Sequence, residues 1–152
     1  MKDLTEKKKT KIFIADDESW YLEGLKDALE AEGYEVIIER RMTGTRALEI
    51  MKDPKLQIDI LILDIMMDLG SELADELSND RTETGIIVCK KIRDEIKWRF
   101  PIICLTVIND ESILNQMRQM GCVILKKADV GIKEILESVR NAEESLKDLL
   151  SI

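Results

Sequence analysis

Hydrophobic positions along the chain alternate between short β-rich runs and longer stretches with apolar residues every three or four positions. That alternation predicts repeated strand and helix units around a parallel sheet. Lys11 to Ala15 (Lys-Ile-Phe-Ile-Ala) reads as a first strand. Ser19 to Glu32 then places Tyr21, Leu25, Ala28 and Leu29 on one helical face, and Gly33 stops the helix. Tyr34 to Glu39 is a second strand, and Thr43 to Asp53 a helix with Ala47, Leu48 and Met51 inward, ended by Pro54. Ile58 to Leu63 is the most apolar strand, which predicts a place at the sheet centre. Thr84 to Lys97 is a third helix, Pro101 to Leu105 a fourth strand, Asp110 to Met120 a fourth helix and Cys122 to Leu125 a short fifth strand. A last helix from about Gly131 to Leu150 carries Ile132, Ile135, Leu136, Val139, Ala142, Leu146 and Leu149 on one face.

One segment breaks the rhythm. About nineteen residues between Ile65 and Glu83 are rich in Asp, Glu, Ser and Asn, where α/β connections usually take about 2–6. Within it, Leu73 and Leu77 have the spacing of a helical turn that folds back on the domain. There is no internal repeat, interdomain linker or low-complexity tail, and the 152 residues fit one domain.

Composition narrows the chemistry. With 23 basic and 31 acidic residues the net charge is −8, which opposes binding to nucleic acid and to anionic membranes. No apolar run approaches the roughly 18 residues of a membrane span, and the first residues lack a signal core, so a cytoplasmic protein is expected. The three cysteines, Cys89, Cys104 and Cys122, lie among apolar neighbours and read as reduced, buried thiols. Histidine is absent, so any histidine chemistry must come from a partner.

In open parallel sheets ligands bind beyond the carboxyl ends of the strands. The first strand runs into Asp16-Asp17-Glu18, the third into Asp64, the fourth into Thr106 and the fifth into Lys126. Asp16 and Asp17 taken alone read equally well as a helix cap. A carboxylate after the apolar run of the central strand is harder to account for without a partner or a metal. Three converging carboxylates need a cation, and oxygen ligands without His or Cys suit Mg2+. A Thr hydroxyl and a Lys ammonium aimed at the same point would bind the oxygens of a phosphoryl group.

These residues, with Ile12 to Glu18, Ile60 to Met67, Thr84 to Arg93, Pro101 to Thr106 and Leu125-Lys126, make the chain resemble a response-regulator receiver domain, the phosphoacceptor module of two-component signalling. The resemblance implies a flavodoxin-like doubly wound sheet of strand order 2-1-3-4-5 with five helices. It implies that Asp64 is the phosphoacceptor, Asp17 a direct Mg2+ ligand, Asp16 a ligand mainly through water, and the Met66 backbone carbonyl the remaining one. Thr106 and Lys126 would bind the phosphoryl group. The implied partner is a sensor histidine kinase or phosphotransfer protein.

Three positions depart from the family pattern. Asp68 stands where a proline usually follows the phosphoacceptor. Lys127 replaces the proline after the lysine, which predicts a rearranged loop there and offers a substitute ammonium. Val123 replaces the switch aromatic, which predicts a smaller or differently routed conformational change. Met66 and Ile108, both apolar, flank the site and predict slow self-dephosphorylation. Trp20 is a candidate docking residue, and the last helix offers a face for a weak homodimer as an alternative to a monomer.

The expected protein is thus a single receiver domain over residues 1 to 152, with an extended acidic loop at about 65 to 83. It is read as a stand-alone switch that signals by protein contact or phosphorelay, since no residues remain for an output domain after Ile152. Two other readings compete. One is an unphosphorylated pseudo-receiver. The other is a Mg2+-dependent phosphatase of the haloacid dehalogenase type, whose Asp-x-Asp pattern Asp16-Asp17-Glu18 lacks.

Overall fold

A computed structural model describes residues 8–17, 19–68, 70 and 84–150. Five strands, β1 (Lys11–Ala15), β2 (Glu35–Ile37), β3 (Ile60–Asp64), β4 (Ile102–Thr106) and β5 (Cys122–Lys126), form one sheet. Every pairing is parallel and the order is β2-β1-β3-β4-β5. Among the described residues four α-helices connect them, α1 (Ser19–Ala31), α2 (Gly44–Lys52), α3 (Thr84–Lys91) and α4 (Glu111–Gln119), and a fifth, α5 (Ile132–Leu150), follows β5. Both the strand order and the helix number match the sequence reading.

Each face of the sheet is covered, so strand residues of either parity are buried. On one side Phe13, Leu61, Leu63, Ile102 and Cys104 pack against Ala47 and Leu48 of α2, Val88 and Cys89 of α3, and Leu114 and Met117 of α4. On the other, Ile12, Ile14, Ile60, Ile62, Ile103 and Leu105 meet Leu22, Leu25 and Leu29 of α1 and Ile135, Val139 and Ala142 of α5. Burying each large aliphatic side chain contributes about 1.5–3 kcal/mol, which makes these two layers the main source of stability. All three cysteines are buried free thiols, and Cys89 Sγ lies 3.4 Å from Cys122 Sγ.

The observed elements differ from the sequence reading in instructive places. β3 and β4 each run one residue further, to Asp64 and Thr106, because the backbone ladder continues through these polar residues. β2 is shorter, because it pairs with β1 only over Lys11–Phe13. Thr43 and Asp110, assigned to helices, are instead the residues that cap them, accepting from Arg46 N and Ser112 N. The third helix does not stay α-helical to Lys97. Residues Ile92–Ile96 wind as a π-helix, ended by Lys97 in the left-handed conformation. From this wider turn the buried Arg93 guanidinium donates to the carbonyls of Met120, Trp98 and Phe100 at 2.8–3.0 Å. The Leu73 and Leu77 turn and the side chain of Trp20 lie outside the described residues, as does most of the acidic loop.

Candidate functional site

The carboxyl ends of β1 and β3 are adjacent, and this brings Asp16, Asp17 and Asp64 together. One carboxylate oxygen from each lies within 4.8 Å of the others. Asp16 and Asp64 are 1 % and 2 % exposed, whereas Asp17 is partly open. Met66 N donates to Asp64 Oδ1 at 3.0 Å, which fixes that carboxylate through the turn after β3. Burial pushes the Asp64 carboxyl up to about 7, and the neighbouring Asp16 charge adds to this, while Lys127 and the Met66 N–H act the other way.

The ammonium found on these carboxylates belongs to Lys127, one residue past the one expected. Its Nζ lies 3.1 Å from Asp16 Oδ2 and 3.5 Å from Asp64 Oδ2. Lys127 begins the turn that follows β5, its N–H donating to Thr106 O at 2.8 Å, and from there its side chain reaches both aspartates. Lys126 ends β5 beside Thr106, half-buried. Thr106 is itself fully buried, and its hydroxyl accepts the Ile108 N–H at 3.0 Å.

Two further residues shape the site that the sequence had not marked. Tyr21, read as a core position of α1, is only partly buried and donates its hydroxyl to Asp16 Oδ2 at 2.5 Å. The Lys127 ammonium sits over its ring, 5.1 Å from the centroid. Gly85, at the start of α3, donates its N–H to Ile65 O at 2.9 Å. A Cβ at Gly85 would stand 2.5 Å from Ile65 Cα, so only glycine allows α3 to reach the segment after Asp64. The buried Thr84 hydroxyl donates to Met67 O in the same contact.

A family model described as "Response regulator receiver domain" matches residues 12–140. The chain belongs to that family. Among curated relatives it is 33% identical over 106 residues to response regulator RR06 of Streptococcus pneumoniae, covering 70% of this chain and 40% of that protein. It is 24% identical over 131 residues to the polar-differentiation response regulator DivK of Brucella anthropi, covering 86% of this chain and 93% of that one. Among solved structures, a receiver domain protein from Clostridium thermocellum superposes with a TM-score of 0.71 at 27% identity, over 92% of this chain and 98% of that one. A CheY-like receiver from Methanospirillum hungatei gives 0.72 at 20% identity, over 93% and 98%, and shows the same fold.

Receivers are signalling switches, and an acidic pocket at this place generally binds Mg2+. The donor set of this receiver fits that ion: three carboxylates with, among the described residues, no nitrogen or sulfur ligand in the cluster, and an ammonium beside them. In the place of the family's switch aromatic, Val123 is 50% exposed and carries no ring. No described helix is long and apolar enough to cross a membrane.

Proposed function

We propose that this receiver is a phosphorylatable switch, taken as one domain over residues 1 to 152, that accepts a phosphoryl group on Asp64 from a sensor histidine kinase or phosphotransfer protein. The observation that carries the reading is the buried Asp64, backed by two more carboxylates and one ammonium at the carboxyl edge of a parallel sheet. An Asp64 carboxylate oxygen forms a bond to phosphorus as the phosphorus–nitrogen bond of the donor phosphohistidine breaks. The electron pair leaves on the imidazole, which takes up a proton. Bound Mg2+ supplies charge neutralisation of the phosphoryl oxygens. Asp17 would hold the ion directly, Asp16 mainly through water, and the Met66 carbonyl would complete the protein ligands. Lys127 moves from the two aspartates to the phosphoryl oxygens, in the role that the family pattern assigns to Lys126, and the Thr106 hydroxyl donates to the same group. The protein thus orients both partners of the transfer, which is where most of the rate arises when the nucleophile is a weak one.

The product signals through protein contact or onward phosphotransfer. Met66 and Ile108, the apolar residues two beyond Asp64 and Thr106, keep water from lining up on the aspartyl phosphate, so the switch resets slowly.

Incubation with Mg2+ and acetyl phosphate, read by intact mass, tests this directly. The expected result is one phosphoryl adduct that needs Mg2+, is absent from Asp64→Asn, and decays over hours. No adduct would leave an unphosphorylated interaction module as the better account, and decay within seconds would remove the shielding role of Met66 and Ile108.

A further inference from the structure

We propose that Tyr21 is a positioning residue of this switch, holding Asp16 through its hydroxyl and Lys127 through its ring, so that filling the site is transmitted to α1; this rests on the proposed phosphoacceptor function. Three groups meet at a single oxygen. Asp16 Oδ2 accepts from the Tyr21 hydroxyl at 2.5 Å and faces the Lys127 ammonium at 3.1 Å, and that ammonium lies 5.1 Å from the centroid of the Tyr21 ring. Asp16 is thereby fixed by a neutral donor that stays when the cation balance changes. The donor comes from α1, not from the sheet that supplies the carboxylates.

A divalent cation among Asp16, Asp17 and Asp64 repels the nearby ammonium, and a phosphoryl group on Asp64 attracts it. Lys127 is then drawn off Asp16 and shifts relative to the ring beneath it. Tyr21 and Lys127 also form the polar end of an otherwise apolar cleft of about 460 Å³ whose walls include Leu105, Val107, Val130 and Ile132. Val107 and Ile132 are both substantially exposed at this cleft. A change in the Tyr21 and Lys127 pair therefore alters a surface shared by α1, the loop after β5 and the start of α5. The coupling that an aromatic at position 123 cannot provide here is supplied by an aromatic on α1, which packs on the same face of the sheet as Val123.

Two variants separate the two holds. Tyr21→Phe keeps the ring and removes the hydroxyl; Tyr21→Leu removes both. Mg2+ affinity of the unphosphorylated proteins, measured by calorimetry, is expected to fall about fivefold in Tyr21→Phe, because an Asp16 side chain no longer held in place must be ordered as the ion binds, while the fold is retained. In wild type, beryllofluoride with Mg2+ is expected to shift amide resonances most in α1 and over residues 128–135. In Tyr21→Leu those shifts collapse while the Asp64 adduct still forms. Wild-type Mg2+ affinity in both variants, or wild-type shifts centred on Val123 and α4, would overturn the proposal. Failure of Asp64 to be labelled by any phosphodonor would instead overturn the phosphoacceptor function, and the Mg2+ affinity of Tyr21→Phe would still decide the place of Tyr21.

Discussion

Replacing Asp64 by Asn should stabilise the metal-free protein, and by an amount that grows with pH. Burial and the Asp16 charge raise the Asp64 carboxyl from its ordinary 3.8 to about 7. Between those values the folded state binds more protons at this site than the unfolded chain does, so stability falls as pH rises. Below about pH 4 both states are protonated and the charge costs nothing. Each pH unit above that removes about 1.4 kcal/mol until the folded group also ionises near 7. The accumulated penalty is about 2 kcal/mol at pH 5 and approaches about 4 kcal/mol at pH 8, to within a factor of two. Asn keeps the shape and the acceptor for the Met66 N–H but carries no charge. Lys127 retains Asp16 as its partner. Urea unfolding of wild type and Asp64→Asn in a chelator, at half-unit steps from pH 5 to 8, measures the difference, and titrating groups away from the cluster cancel between the two proteins. Added Mg2+ should close the gap by stabilising wild type more than the variant, since the ion binds the folded cluster alone. A difference that is flat with pH, or one in which wild type is the more stable protein at pH 8 without metal, would refute the account of Asp64 as a buried charge awaiting a cation.

The neighbouring lysines offer a sharper separation. Lys127→Ala should slow phosphorylation by acetyl phosphate by about tenfold or more, whereas Lys126→Ala should change it little; initial rates at saturating Mg2+ show which ammonium serves the site. Gly85→Ala should lower stability by about 1–3 kcal/mol and weaken Mg2+ binding together, because the new methyl forces α3 away from Ile65 and loosens the turn that carries Met66; a variant as stable as wild type would show that the close approach is not needed.

What was legible in the sequence, and what was not, follows from how far each feature depends on distant parts of the chain. The strands, the helices and their order are local properties of apolar spacing, and two covered faces leave β3 apolar throughout until Asp64. Asp64 stands out because a carboxylate is costly to bury, so its presence after such a run already implies compensation. Asp16 and Asp17 taken alone read equally well as a helix cap, and their place at the end of a strand, together with Asp64, is what marked them. Other features turn on contacts that no local pattern carries. The π-helical turn at Ile92–Ile96 keeps an apolar spacing compatible with an ordinary helix, and its reason lies in three carbonyls from two other segments. Gly85 matters only because Ile65 Cα would stand 2.5 Å from its Cβ, far inside van der Waals contact.

The lysine shows the limit most clearly. The Lys126-Lys127 pair ends β5 with two ammonium groups one residue apart, and a step of one residue moves a side chain to the opposite face of the sheet. Which of them stands beside Asp64 depends on how the chain leaves β5, where Lys126 falls opposite Thr106 and Lys127 N bonds Thr106 O as the turn begins. Motif spacing alone selects Lys126, on the assumption that the backbone turns after the lysine as it does before a proline. Lys127 opens the turn after β5, and its ammonium stands beside Asp16, Asp64 and the Tyr21 ring. With a lysine in the proline's place, the ammonium that lies on the two aspartates belongs to that position, and the Tyr21 ring on α1 is where it rests.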